Sequence, residues 1–182
     1  MIESNREIKK PSEKREIMPR FEASALRGYC VSVLTASGVE RSCAEAVADA
    51  LIDAELTGVS THGVSRLAVY MQRMDAGVMS RENNIRIVRE STSTLVVDAA
   101  KFAMERCIAK AKETGCCFAS VHSSNHFGTA AYYTRLAAAQ DMIGFACTNL
   151  KGKIAPFGSA EPYMGTNPIS VAAPSDDLPV VL

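Results

Sequence analysis

The chain has 182 residues, 47% hydrophobic and 22% charged, the composition of a globular protein able to bury a core of one domain, or of one and a part. Lys plus Arg and Asp plus Glu both number 20, so the formal net charge is zero and a polyanionic partner such as nucleic acid has no electrostatic basis. The longest weakly charged stretch, residues 115–134, is interrupted by two His, an Asn and several Ser, would be costly inside a bilayer, and no transmembrane helix is expected.

Residues 1–19 form a mixed-charge lead-in with Pro11 and Pro19 and no apolar period, which predicts a disordered tail. Its Glu3, Glu7, Glu13 and Glu16 argue against an organellar transit peptide, and Met18 offers an alternative start. From Phe21 the apolar residues recur at helical spacing through Leu26, Cys30, Val33 and Leu34, with Gly38 as the stop. In the second helix Ser42 and Glu45 read as a capping box, Val47, Ala50, Leu51 and Ala54 as the buried face, and Gly58 as the end. A third helix is predicted over 62–76, with Leu67, Tyr70, Met71 and Met74 in step and Gly77 closing it. Residues 20–80 thus make a helical N-terminal segment.

The period then changes to two. Ile85, Ile87 and Leu95 to Val97 predict short strands around the Glu90-Ser91-Thr92-Ser93 turn. A helix over 103–113, a strand over 116–121, a helix over 129–139 and strands over 143–148 and 169–173 follow, and Val180-Val181-Leu182 opens another apolar run. Residues 81–182 therefore read as an α/β region in which helices and strands of a mixed sheet alternate. Neither G-x-G-x-x-G nor G-x-x-x-x-G-K-[ST] occurs, so a conventional Rossmann or P-loop site has no support.

The six cysteines, Cys30, Cys43, Cys107, Cys116, Cys117 and Cys147, show no C-x-x-C pairing and no secretory h-region precedes them, which points to reduced thiols in the cytoplasm. Cys116 and Cys117 fall in a strand-like run, where neighbours face opposite ways, and are expected to be small buried hydrophobes. No metal site is expected.

Three polar groupings stand out. In Ser60-Thr61-His62-Gly63-Val64-Ser65-Arg66, His62, Arg66 and Tyr70 follow at i, i+4 and i+8, one face of a helix. An imidazole, a guanidinium and a phenol there suit a carboxylate-bearing substrate, since Arg grips a carboxylate through two parallel bonds. A helix cap, a surface Arg and a half-buried Tyr fit the same spacing, and on spacing alone that is the plainer reading. In Ser123-Ser124-Asn125-His126-Phe127-Gly128 a predicted strand hands over to a predicted helix, a place where α/β proteins hold ligands. His126 there can move a proton near neutral pH, or equally cap the helix. His122, inside the strand, reads as packed or hydrogen-bonded. Pro156-Phe157-Gly158-Ser159-Ala160-Glu161-Pro162 and Gly165-Thr166-Asn167-Pro168 mark a shaped loop whose backbone can approach a ligand.

Together, T-H-G-V-S-R, N-H-F-G, the T-N of Thr148-Asn149, A-P-F-G and G-T-N-P-I, in this order and spacing over about residues 21–182, resemble the type-2 malate/L-lactate dehydrogenase family, which includes ureidoglycolate and sulfolactate dehydrogenases. The resemblance implies a non-Rossmann oxidoreductase that uses NAD or NADP on a small 2-hydroxy or 2-oxo acid, usually as a cytoplasmic homodimer. It implies that His126 accepts the proton of the substrate hydroxyl, with His62 and Arg66 completing the catalytic set. Arg66 would bind the substrate carboxylate, and Thr61 and Tyr70 would line the pocket. Asn149, Leu150, Thr166 and Asn167 would lie on the cofactor side. The chain departs from the family at Leu150-Lys151-Gly152-Lys153, where many members carry a Ser or Thr and a Pro. The family continues with an Asp-Met-Ala segment and further sheet, so the expectation is the first half of such an enzyme, without activity alone and with an uncovered apolar face, or a truncated remnant acting through protein association.

Overall fold

The computed structural model describes residues 20–182; the expected tail and the alternative start at Met18 lie outside them. Three helices come first: α1 (Ala23–Ala36), α2 (Arg41–Leu56) and, after a 3-10 turn at Ser60–His62, α3 (Arg66–Asp75). Their core joins Cys30, Val31 and Leu34 of α1 to Ala44, Ala48 and Leu51 of α2 and to Leu67, Tyr70 and Met74 of α3. The spacings of three and four residues set one buried stripe on each helix. Leu51 is among the largest fully buried side chains, and truncating such a residue to Ala costs about 2–5 kcal/mol. The buried face of α2 runs through Ala44, Ala48 and Leu51, while Val47 is only partly covered.

The glycine stops hold. Gly38 and Gly58 adopt φ +88° and +76°, and the N–H after each returns to the carbonyl five residues back, Val39 to Leu34 and Val59 to Ala54. That pairing closes a helix with a left-handed residue, which costs glycine little. The capping box does not form. Helix α2 begins at Arg41, so Ser42 lies inside the first turn and donates to Glu40 Oε1 (2.6 Å), while Glu45 pairs with Arg41 (3.0 Å).

The remaining elements are β1 (Ile87–Glu90), β2 (Thr94–Val97), α4 (Ala100–Thr114), β3 (Phe118–Val121), α5 (Ala130–Ala138), β4 (Gly144–Cys147), β5 (Ile169–Ala173) and β6 (Val180–Val181). The α/β class of the sequence reading is present, with the strands divided between two sheets of three. In one, β2 pairs antiparallel with β1 and parallel with β3, the α4 crossover making the parallel step. In the other, β4-β5-β6 is antiparallel throughout. Leu95 and Val97 of β2 pack on Ala103 of α4. Helix α5 lies against the second sheet, where the Thr134 and Ser170 hydroxyls form a buried pair at 3.0 Å. Gly144 makes that approach possible, because a Cβ there would sit 2.5 Å from the Thr134 carbonyl.

Between the sheets, α4, β3, α5 and β4 line an apolar cleft of about 730 Å³. Phe118 and Phe145 flank it, 73% and 59% exposed. Cys116 and Cys117 correct the sequence reading. They precede β3 rather than entering it, Cys116 is exposed and Cys117 partly so, and both border the cleft. The left-handed turn at Gly115 precedes the pair and the strand starts only at Phe118, so neither thiol is fully buried. All six cysteines are free. Burial and the neighbouring Cys117 push the Cys107 thiol up to about 12. No described helix is long and apolar enough to cross a membrane.

Candidate active site

The chain leaves α2 at Gly58 and folds back along that helix before α3 begins. Gly63, buried in this return, lies so close to Glu55 that a Cβ would meet Oε1 at 2.1 Å. The same carboxylate oxygen accepts the Val64 N–H at 2.8 Å. Glu55 thereby satisfies a backbone donor ahead of α3 and fixes the path of residues 60–65. Ser65 Oγ closes the loop by donating to the Ser60 carbonyl (3.0 Å).

This geometry alters the predicted third helix. His62 belongs to the 3-10 turn and α3 begins at Arg66, so His62, Arg66 and Tyr70 do not share one helical face. The break occurs at Gly63, whose ψ of −149° is incompatible with a continuous helix. The groups meet by a different route. Arg66 Nε donates to the Thr61 carbonyl (2.5 Å), which ties the first turn of α3 back over the loop. Among the described residues its terminal nitrogens make no side-chain hydrogen bond or ion pair. Thr61 Oγ1 and His62 Nδ1 are 3.0 Å apart.

His126 arrives from the other side. Strand β3 ends at Val121, Ser123 takes a left-handed φ of 53°, and the chain runs through Asn125 to Gly128 at φ +78° before α5. A serine in that region is uncommon and holds only when the surroundings impose it. Tyr133 of α5 holds the end of this loop: its O–H donates to the Phe127 carbonyl at 2.6 Å and its ring stacks on Phe127 at 4.5 Å. Arg135 of α5 pairs with Asp53 of α2, joining α5 to the helical segment. His126 then lies 5.4 Å from the His62 ring, stacked at 29°, and its Nδ1 is 2.7 Å from the Tyr70 hydroxyl. His122, just beyond the strand, is exposed and bonded to Ser123 Oγ (3.0 Å), so it is hydrogen-bonded but not packed.

Burial holds the His126 imidazole down at about 4, with His62, Arg66 and Arg73 adding repulsion against a proton. His62 is lowered as well, by burial and then by Arg66. Tyr70 is raised by burial. At neutral pH the cluster therefore holds uncharged imidazoles, a neutral phenol and a cationic guanidinium. Such a set can bind an anion and exchange a proton with a group beside it.

The other predicted residues form a separate grouping. Asn149, Leu150, Thr166 and Asn167 lie on the two arms of the long β4–β5 connection, bridged at Ile154 and Met164. Asn167, left-handed at φ 42°, uses its Oδ1 to accept the Leu150 N–H (2.9 Å), and Gly165 presses against the Leu150 carbonyl. Leu150 and Asn167 are thus braces for each other, while Asn149 and Thr166 present exposed side chains. None of the four contacts His126 through a hydrogen bond or ring contact. Sequence reasoning missed Glu55, Tyr133 and the Asp53–Arg135 pair. Only Gly63, an unexplained glycine inside T-H-G, signalled a close approach there.

The fold is one that dehydrogenases use: it superposes on the structure of malate dehydrogenase from Pyrococcus horikoshii OT3 with a TM-score of 0.86 and 38% identity, covering 90% of this chain and 49% of that one. In sequence the Pyrococcus horikoshii malate dehydrogenase is 39% identical over 171 residues, 90% of this chain and 48% of the relative. The L-sulfolactate dehydrogenase of Methanothermobacter thermautotrophicus is 38% identical over 168 residues, 88% and 48%. The ureidoglycolate dehydrogenase (NAD(+)) of Escherichia coli O157:H7 is 30% identical over 151 residues, 79% and 43%. The profile of the malate/L-lactate dehydrogenase family matches residues 21–182, and the chain belongs to that family. It spans about half the length of the curated relatives it matches.

Proposed function

We propose that this chain carries the acid-binding and proton-transfer half of an NAD- or NADP-dependent oxidoreductase acting on a small 2-hydroxy or 2-oxo acid, working as a cytoplasmic homodimer. The observation that carries the reading is the free end of the Arg66 guanidinium beside the stacked, uncharged His62–His126 pair. Arg66 holds the substrate carboxylate through its two terminal nitrogens, as its Nε is already committed to Thr61. His126 takes the hydroxyl proton in oxidation and returns it in reduction, through Nε2, because Nδ1 is occupied by Tyr70. His62 flanks the His126 ring on the side of the 3-10 turn, with Thr61 beside it.

The nicotinamide side falls to the long connection. The exposed amide of Asn149 and hydroxyl of Thr166 are suited to a carboxamide, with Leu150 and Asn167 holding the two arms at a fixed separation. A bound nicotinamide would accept the hydride in oxidation and supply it in reduction. The relative named for NAD(+) supports a pyridine nucleotide here.

The test is a chimera in which residues 21–182 replace the matching part of the Pyrococcus horikoshii enzyme. NAD(P)H oxidation with a panel of 2-oxo acids, lost on His126→Ala, is the expected result; an active chimera indifferent to His126 would refute the assignment. A second reading, association with another polypeptide, is favoured by the exposed aromatic rim of the apolar cleft. A chain that is monodisperse and silent to a hydrophobic dye would count against it.

A further inference from the structure

The 2.7 Å contact between the Tyr70 hydroxyl and His126 Nδ1 joins α3 to the loop leaving β3. Tyr70 was expected to line the pocket. It is buried, however, within the core of the helical segment, packed with Leu67 and Met74, and its hydroxyl reaches out of that core to one nitrogen of His126. A side chain so placed has little freedom to follow a ligand. It has every means to fix the ring it touches.

Resting on the reading of His126 as the proton-transfer group, we propose that Tyr70 is a positioning residue that sets the tautomer of His126: its phenolic O–H donates to Nδ1 and leaves Nε2–H as the group offered to a substrate oxygen. A neutral imidazole has one donor nitrogen and one acceptor nitrogen, and which is which follows from the partner of the other. Were Nδ1 to carry the proton and donate to the phenolic oxygen, the phenolic O–H would need another acceptor, and among the described residues His126 is its partner. A buried donor left unpaired is penalised enough to bias the two tautomers by about tenfold or more. Burial, which raises Tyr70, also keeps the phenol protonated and able to donate.

The consequence concerns which form of the acid the resting site receives. With Nε2–H presented beside the Arg66 guanidinium, the site offers one donor to a keto oxygen and a pair of donors to the adjoining carboxylate, the pattern of a 2-oxo acid. A 2-hydroxy acid, whose hydroxyl must donate to Nε2, requires the opposite tautomer. The phenolic oxygen can then accept from Nδ1–H, but the phenolic O–H loses its His126 acceptor, so that tautomer is the disfavoured one. Tyr70 thus biases the resting site toward the 2-oxo acid without touching the substrate.

Long-range proton–nitrogen spectra of the ¹⁵N-histidine-labelled chain test this directly, with His126→Gln assigning the signal among the three histidines. Near neutral pH the expected result is a single Nε2–H tautomer for His126, against averaged nitrogen shifts for exposed His122, and collapse to averaged shifts in Tyr70→Phe with an unchanged melting temperature. Averaged His126 shifts in the unmodified chain would overturn the proposal, as would a folded Tyr70→Phe variant that keeps the original shifts. Should Tyr70→Phe fail to fold, the spectrum of the unmodified chain decides alone. The readout needs no turnover, so its failure and that of the dehydrogenase assay in the chimera are separate results.

Discussion

The two groups of candidate residues are built in opposite ways. Around His126 the bracing comes from helices: Glu55 of α2 holds the Val64 N–H, Tyr70 of α3 holds His126 and Tyr133 of α5 holds the Phe127 carbonyl. Around Asn149 and Thr166 the bracing is local, from one loop arm to the other, and the side chains stand in the open. A proton-transfer group needs a fixed neighbour and a dry setting to hold its pKa away from the ordinary value, and only packed helices supply both. A surface that receives a large flat ligand needs instead a firm backbone with donors facing outward.

The comparison breaks most visibly at His126. In the chimera, His126→Ala should lower turnover by about 10²–10⁴-fold, the span of general acid–base catalysis, with cofactor affinity nearly intact. Steady-state rates and a cofactor titration measure both, and turnover within about threefold of the parent would place the chemistry elsewhere. Arg66→Lys should raise KM for the best 2-oxo acid about tenfold or more, since an ammonium cannot reproduce a two-bond contact with a planar carboxylate. An unchanged KM would make Arg66 a loop brace and no more.

Gly63→Ala sharpens the contrast by attacking the support. The added Cβ collides with Glu55, and forcing that contact should cost about 1–3 kcal/mol, read as a lower urea midpoint. It should also separate the His62 and His126 rings while leaving the 148–167 arms alone. A smaller effect comes from His126 itself. Its imidazole has an ordinary value of 6.5 and about 4 in the fold, so between those limits the unfolded chain binds more protons. Stability should therefore rise with pH through that window and be fully present above 6.5. His126→Gln should flatten that part of a urea-midpoint profile; an identical profile would show that the ring is not held neutral by the fold.

Much of this was legible in the sequence, for reasons that are local. Gly38, Gly58 and Gly77 marked the helix ends because a left-handed turn leaves a residue-type signature, and the strand over 169–173 stood out by its composition between turns. The ordered motifs gave His62, Arg66 and His126, which the fold does bring together. The reading failed where the cause is tertiary. The capping box at Ser42 was lost because the helix starts two residues earlier, with Glu40 at the N-cap, and the third helix broke because Gly63 presses on Glu55, a contact no periodicity reveals. The two cleft cysteines were misplaced because β3 starts only at Phe118, after the turn at Gly115. The sequence places Tyr70 beside the pocket, and the fold adds the contact of its hydroxyl with His126.

The central claim is that Arg66 and His126 form one acid-binding, proton-transferring site. The most direct measurement is a titration of the His126 ring signals with oxamate, a non-reacting 2-oxo-acid analogue. Its carboxylate should offset the Arg66 charge that now opposes protonation, so the account predicts saturable shifts at His126 and a rise of its pKa from about 4, both lost in Arg66→Ala. Ring signals and a pKa that stay unmoved at saturating oxamate, or that move equally in Arg66→Ala, would contradict it.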